Sequence, residues 1–461
     1  MLLKLAFEDL PLERGEFPQE LFSRLQGDYS SLLQSGKGGR YSYIGYDPFL
    51  VVWSSNGVTQ SVRRKNFFDL KKSIVGQIFD GEPLDVLRKL FKKFEFKGEA
   101  PVPFFGGAIG YFSYDYGCCF LDVKQKVYDD TGIPDYLFCF YDKIIAIDHE
   151  VGKKYIFAIA ETDISAERKI GEIKKDLMKP LPLIRKGRIG KIKSNVTKEQ
   201  YANKITEIRS LLERGETYQA NFSQRFSGIC TLPPYEVYKK LARRNPSPFA
   251  CYLDYPQFKV VSCSPELLLR KRGRDIESWP IKGTVKRGKN SAEDEKLEKK
   301  LLSSKKDKAE LSMITDLVRN DLGQVSQIGS VKVAGFREIE KCSHVIHTFS
   351  RIVSKLDNKK DLFDCIRAAF PGGSITGCPK KRTVEIIDKL EDYKRGVYTG
   401  SAGFISFAGD CDLNILIRTM LFKDDMVYFH SGGGIVYDSV AENEYDETIQ
   451  KAKALLFSIK K

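Results

Sequence analysis

The sequence predicts an α+β protein: antiparallel β-sheets packed as a sandwich-like core with helices on the outer faces. Three observations carry this expectation. Short strand-like runs such as Phe49–Trp53 and Lys143–Ile147, punctuated by Gly and Pro, fill residues 1 to about 165. Further runs, among them Phe258–Cys263, 397–407 with 413–422, and 426–436, follow in hairpin order. Helical patterns lie between them, a mixture that favours antiparallel sheets.

Residues 166 to 194 hold a short helix and then a Pro-, Lys- and Gly-rich connector, Lys179–Lys193. The connector divides an N-terminal region, 1–178, from a second region, 195–461. A helix opens that region: Thr197 and Gln200 form a capping box, Tyr201, Ile205, Ile208 and Leu212 make the buried stripe, and Gly215 is the stop. Helices are expected near 293–303, 307–320, 360–368 and 379–390. The last begins at 440, with a second capping box at Ser439 and Glu442 and a stripe of Tyr445, Thr448, Ile449, Ala452 and Leu456.

With 461 residues, 42% hydrophobic and 30% charged, the chain has the composition of a soluble globular protein. No apolar run approaches the roughly 18 residues that would span a bilayer. Glu8 and Asp9 interrupt the start too early for a signal peptide. Ten cysteines form no C-x-x-C pair, so the expectation is reduced thiols in a cytoplasmic protein. The net charge of +14 is spread over runs such as Arg63-Arg64-Lys65, Arg185-Lys186-Gly187-Arg188 and Arg243-Arg244, with no recognition motif. That argues against nucleic acid and leaves either a simply solvated basic surface or one that attracts a small dianionic substrate or an acidic partner.

The oddest residue is Lys282, in Trp279-Pro280-Ile281-Lys282-Gly283-Thr284. The neighbours predict a tight, partly desolvated loop. A desolvated lysine loses its proton more readily, and its free amine is a nucleophile; a buried ion pair is the alternative. Two acidic pairs at i, i+3, Asp307 with Glu310 and Glu444 with Glu447, could make an all-oxygen site for a hard cation such as Mg²⁺, or could be surface acids. Three glycine-rich segments, Phe370–Gly377, Tyr398–Gly403 and His430–Ile435, are either anion-binding backbone or tight turns. Arg418, inside the apolar run Ile415–Met420, is either paired in the core or a fork for a carboxylate.

Together these segments resemble the chorismate-utilising enzymes, in particular component I of aminodeoxychorismate synthase and of anthranilate synthase. The matching blocks are Gly215–Phe226, Ser264-Pro265-Glu266, Pro280–Thr284, Lys306–Glu310, Asp316–Asp321, the Thr376 loop and Gly432–Glu447, in family order. Leu32–Ser35 with Arg40-Tyr41-Ser42, and Phe105-Gly106-Gly107, resemble the family's N-terminal region.

The resemblance implies roles. Glu310 and Glu447 would ligate Mg²⁺, with Asp307 and Glu444 behind them or binding through water, and the metal would hold the ring carboxylate of chorismate. Tyr398, Arg418 and the amides of Gly432, Gly433 and Gly434 would hold the enolpyruvyl carboxylate, beside Thr376. Glu266 would protonate the departing C4 hydroxyl, and His347 would be the site histidine. Sisters that add water carry a lysine where this chain has Gln219, so nitrogen is the expected nucleophile. Lys282 stands where anthranilate synthases show alanine and aminodeoxychorismate synthases show lysine, which implies amination at C4. No Gly-x-Cys-x-Gly nucleophile turn is present, so a separate glutamine amidotransferase subunit is the expected ammonia source. Leu311 departs from the family's usual His or Asn. Gln34 replaces a glutamate of the tryptophan-feedback motif, which weakens a regulatory tryptophan site around Ser35 and leaves a structural one open.

Overall fold

The computed structural model describes residues 2–13, 15–36, 38–64, 78–342 and 345–460. Lys65 of the first basic run lies outside them. Two large sheets, of 13 and 12 strands, form the body. Their pairings are antiparallel except where Leu2–Pro11 meets Glu95–Phe96. The expected α+β class with antiparallel sheets is what the chain adopts.

Period-two alternation explains the layering. In strand Lys143–Asp148, Ile144 and Ala146 enter the larger core, which holds side chains of both sheets, while Ile145 and Ile147 point to the opposite face. Strand Phe249–Tyr255 repeats this: Cys251, Leu253 and Tyr255 face one core, Ala250 and Tyr252 the other. Helices Pro18–Leu25, Asp163–Leu177, Pro234–Arg244 and Ala441–Ile459 cover that second face. Among the described residues no helix is long and apolar enough to cross a membrane.

Both sheets draw strands from either side of the Lys179–Lys193 connector. Strand Phe249–Tyr255 pairs with Ser30–Gln34, with Tyr252 opposite Leu32. Strand Ser401–Ser406 pairs with Gly107–Phe112, with Gly403 opposite Gly110. The two stretches of sequence therefore share one framework.

Local details refine the sequence reading. The Thr197–Gln200 capping box forms and opens helix Lys198–Glu213. The one expected at Ser439 does not: helix Ala441–Ile459 starts from Val440 without a side-chain cap, and the Ser439 hydroxyl donates to Glu444 Oε1 at 2.7 Å. A carboxylate one turn into the helix offers a stronger, charge-assisted acceptor. The run 413–422 is not one strand either. Cys411–Asn414 belongs to one sheet and Thr419–Lys423 to the other, and the chain crosses between them at Ile415–Arg418. Arg418 makes that turn with φ of +52°, left-handed backbone that a non-glycine residue adopts only when its surroundings hold it.

Candidate functional site

Lys282 does not sit in a loop. It lies in strand Ile281–Lys286, at the edge of the smaller sheet, paired with Val345–Lys355. The register slips between Lys282 and Thr284, and Gly283 takes φ of +76°. That bulge re-aims the lysine. It also brings the backbone against helix Lys305–Gly323: a Cβ on Gly283 would lie 3.1 Å from Asp307 Cβ. The Lys282 ammonium donates to the Ser374 carbonyl at 3.2 Å. Burial holds its pKa below the usual lysine value; Lys451 adds to this, while Glu310, Glu266 and Glu447 oppose it.

Two strands of the larger sheet meet at this ammonium. Strand Gln219–Ile229 brings Gln219, and strand Met426–Ile435 brings Gly434, paired opposite Asn221. A Cβ on Gly434 would strike the Gln219 amide and lie 3.2 Å from Lys282 Nζ. Gln219 is fully buried, and neither its Nε2 nor its Oε1 has a hydrogen-bond partner among the described residues. Buried amide atoms left unpaired are costly, so a ligand or water is their natural partner.

Glu266 comes from the segment between strands Phe258–Ser264 and Leu267–Arg272, and it is 3% exposed. Its Oε1 accepts the Ile281 amide at 3.3 Å, one residue before Lys282. Burial raises its pKa, against the pull of Ser374 and Lys282. A carboxyl biased toward its protonated form, beside an amine biased toward its free form, is an acid and nucleophile pair.

The acidic pairs approach from two helices. Glu310, on Lys305–Gly323, has its pKa raised by burial, with Asp307 and Glu447 adding to the rise and Lys282 and Lys306 opposing it. Glu444 and Glu447 share the first turns of Ala441–Ile459. Burial raises Glu444; burial would raise Glu447 too, but Lys451, 2.6 Å from its carboxylate, brings it below the usual value. A Cβ on Gly433 would lie 3.4 Å from Glu444 Oε2 and 3.6 Å from Glu447 Oε1, so both carboxylates face one bare stretch of backbone. No three of the four acids bring oxygens within 4.8 Å of one another; Lys451 intervenes, bridging Glu447 to the Gly432 carbonyl at 3.0 Å.

Gly432–Gly434 form neither a loop nor a tight turn. They lie within strand Met426–Ile435. Thr419–Lys423 pairs with that strand only as far as Tyr428, so beyond it one backbone edge lacks a described neighbour strand. The Phe370–Gly377 segment contains a short 3₁₀ turn, Gly373–Ile375, and the Thr376 hydroxyl is spent on the Gly372 carbonyl at 2.9 Å. Tyr398 stacks on His430 with centroids 5.0 Å apart and planes 7° from parallel. Burial pushes the Tyr398 hydroxyl up to about 12 and, with Arg225 and Arg395, holds His430 well below its usual value. Arg418 has no carboxylate partner among the described residues, and burial lowers its pKa.

His347 is 1% exposed, with Nε2 2.6 Å from Glu340 and Nδ1 3.9 Å from Cys342 Sγ. Ser35 sits apart from the lysine, its amide donating to Ser42 Oγ at 2.9 Å and its hydroxyl to the Pro248 carbonyl at 3.3 Å. A cavity of about 50 Å³ lies nearby, lined by Leu33, Gln34, Tyr43 and Phe249 among others.

Sequence reasoning missed His430, Lys451 and the pair Glu391–Arg395. Arg395 bonds Glu391 through two nitrogens, at 2.7 and 2.8 Å, and donates to the carbonyls of Asn221 and Ile375. Glu391 in turn accepts from Ser223. This buried, fully bonded pair ties strand Gln219–Ile229 to the Thr376 and Tyr398 segments. Lys451, four residues after Glu447, and Arg395, four after Glu391, carried a local signal, the i, i+4 spacing of an ion pair; His430 carried none.

The sequence profile described as chorismate binding enzyme matches residues 30–457. Aminodeoxychorismate synthase component 1 of Bacillus subtilis (strain 168) is 37% identical over 98% of this chain and 96% of its own length. Anthranilate synthase component 1 of Aquifex aeolicus is 36% identical over 96% of this chain and 92% of its own. The crystal structure of anthranilate synthase component I from Streptococcus pneumoniae superposes with a TM-score of 0.81 at 31% identity, covering 97% of this chain and 98% of that one. A chain matched over almost its whole length by that profile and by such relatives belongs to the chorismate-binding enzyme family.

Proposed function

We propose that this chorismate-utilising enzyme aminates chorismate at C4, as component I of an aminodeoxychorismate synthase: chorismate and ammonia give 4-amino-4-deoxychorismate and water. The observation that carries this reading is Lys282, a buried amine with lowered pKa, next to a buried Glu266 carboxyl with raised pKa. An enzyme that delivered ammonia straight to C2 would have no use for an amine there.

The Lys282 amine attacks C2. The two ring double bonds shift toward C4, and the C4 hydroxyl leaves with the proton of Glu266 as water. Ammonia then attacks C4, the double bonds shift back, and the C2–N bond to Lys282 breaks. The amine loses its proton on bonding and regains one on release, so atoms and charges balance. Arg418, Tyr398 and the amides of Gly432–Gly434 hold the enolpyruvyl carboxylate. Gln219 offers amide contacts and no base, so water at the site stays un-ionised. His347, fixed by Glu340, orients the substrate.

The donor set suits a hard divalent cation. It is all carboxylate, two of its members face the bare backbone of Gly433, and Glu310 has its ionised form destabilised by burial and like charge. Glu310 and Glu447 would hold Mg²⁺, with Asp307 and Glu444 behind them. Bound there, the ion would neutralise the ring carboxylate and draw electrons from the diene. A glutamine amidotransferase subunit would supply ammonia in the cell.

The test is product identity. Purified protein with chorismate, Mg²⁺ and ammonium should form a product that becomes p-aminobenzoate only after a lyase is added. Fluorescent anthranilate appearing without lyase would instead assign the anthranilate reaction, which the 36% identical relative keeps as the second reading.

A further inference from the structure

A cleft lies away from Lys282, at the far end of a strand that starts beside the site. Leu267–Arg272 begins beside Glu266 and ends at Lys271 and the Gly273 turn, which wall a cleft of about 380 Å³. Helix Pro83–Phe91, helix Leu362–Ala369 and the Ser406–Gly409 turn close its other sides. A volume of this order suits a small organic molecule.

The walls have two chemistries. Phe91, Phe363 and Phe407 form a connected aromatic face, with centroids 5.8 Å apart for Phe91–Phe363 and 6.3 Å for Phe91–Phe407. Around it stand Arg88, Lys92, Lys271, Arg274 and Lys360. The two lining carboxylates are already engaged: Asp361 caps helix Leu362–Ala369 and lies 3.4 Å from Arg88, and Asp357 accepts the Lys359 amide at 2.8 Å. Among the described residues, Lys92, Lys271, Arg274 and Lys360 have no carboxylate partner. Lys271 is the telling one. It is only 9% exposed, yet its ammonium bonds just the Gly409 carbonyl, at 2.9 Å. An ammonium fixed at the cleft wall by one neutral acceptor keeps its charge available to an anion in the cleft.

We propose that this cleft is a second ligand site, distinct from the chorismate site, for a small aromatic carboxylate: the ring lies on the Phe91–Phe363–Phe407 face and the carboxylate meets Lys271. A bare anion would leave the aromatic face wet. A neutral aromatic would leave the lysine without counter-charge.

Benzoate and inorganic phosphate are the probes, titrated into the full-length protein by calorimetry. Benzoate should bind saturably and at least tenfold more tightly than phosphate. Lys271→Met, matched in length, should weaken it at least tenfold. Lys92→Glu with Lys360→Glu, on exposed side chains that the fold does not need, should weaken it too, so a folding defect at Lys271 cannot decide the matter. Arg418→Met should leave this binding unchanged. Equal affinities for the two probes would remove the aromatic part of the assignment. No saturable binding, or binding lost in Arg418→Met and kept in the two lysine variants, would overturn the second site without touching the amination reading.

Discussion

Gly434 and Lys282 meet so closely that a Cβ on the glycine would lie 3.2 Å from the lysine ammonium. The glycine belongs to one sheet and the lysine to the other, so the two sheets touch through the reacting groups. Space at this point comes from the missing side chain.

Gly434→Ala therefore tests geometry apart from fold. The added methyl displaces the ends of two flexible side chains, Gln219 and Lys282, and no backbone. We expect a melting temperature within a few degrees of the parent and a fall in kcat/KM of at least tenfold, about 1.4 kcal/mol of transition-state stabilisation. Unchanged kinetics would mean that neither side chain has to hold its place.

The Lys282 amine should titrate below the ordinary lysine value because burial disfavours its charge. Its free-amine fraction then rises with pH earlier than for an exposed lysine. The negative charge of Glu266 works against this, so Glu266→Gln should lower the titration midpoint further. Labelling of Lys282 by an amine-acylating reagent across pH, read by peptide mass mapping, measures both. A midpoint at or above 10.5 in the parent, or one that rises in Glu266→Gln, would contradict the sign.

Arg418→Met should raise the KM for chorismate at least tenfold and change kcat less, because the lost fork contacts a carboxylate that does not react. It should not destabilise the free protein, since it removes a buried charge that has no carboxylate partner among the described residues. A large fall in melting temperature would place the arginine among the structural ion pairs instead.

Mg²⁺ should raise the melting temperature of the parent, as any ligand of the folded state does. The rise should disappear in Glu310→Gln and in Glu447→Gln, with activity lost in both. A parent-sized shift in either variant would remove that residue from the metal site.

What was legible in the sequence was local. The Thr197–Gln200 capping box and the acidic pairs at Asp307–Glu310 and Glu444–Glu447 depend on residues one turn apart, and the helices predicted for them form. Motif order pointed to the chorismate-binding family. What was missed depends on distant partners. Lys282 reads as a loop because its strand exists only through pairing with Val345–Lys355. The Tyr398–His430 stack has a signature only in space, and the i, i+4 spacing of Glu391 and Arg395 says nothing of the Asn221 and Ile375 carbonyls that Arg395 ties together. The run through Arg418 reads as one strand because nothing in its composition marks the crossing between sheets.

Amination at C4 by this route requires a covalent bond from Lys282 to the ring. Incubation with chorismate and Mg²⁺ but without ammonium, followed by acid quench and peptide mapping, tests it most directly. The peptide containing Lys282 should gain the mass of chorismate minus one water, a gain absent in Lys282→Ala and discharged when ammonium is added before the quench. An unmodified Lys282, in a preparation that turns chorismate over once ammonium is supplied, would contradict it.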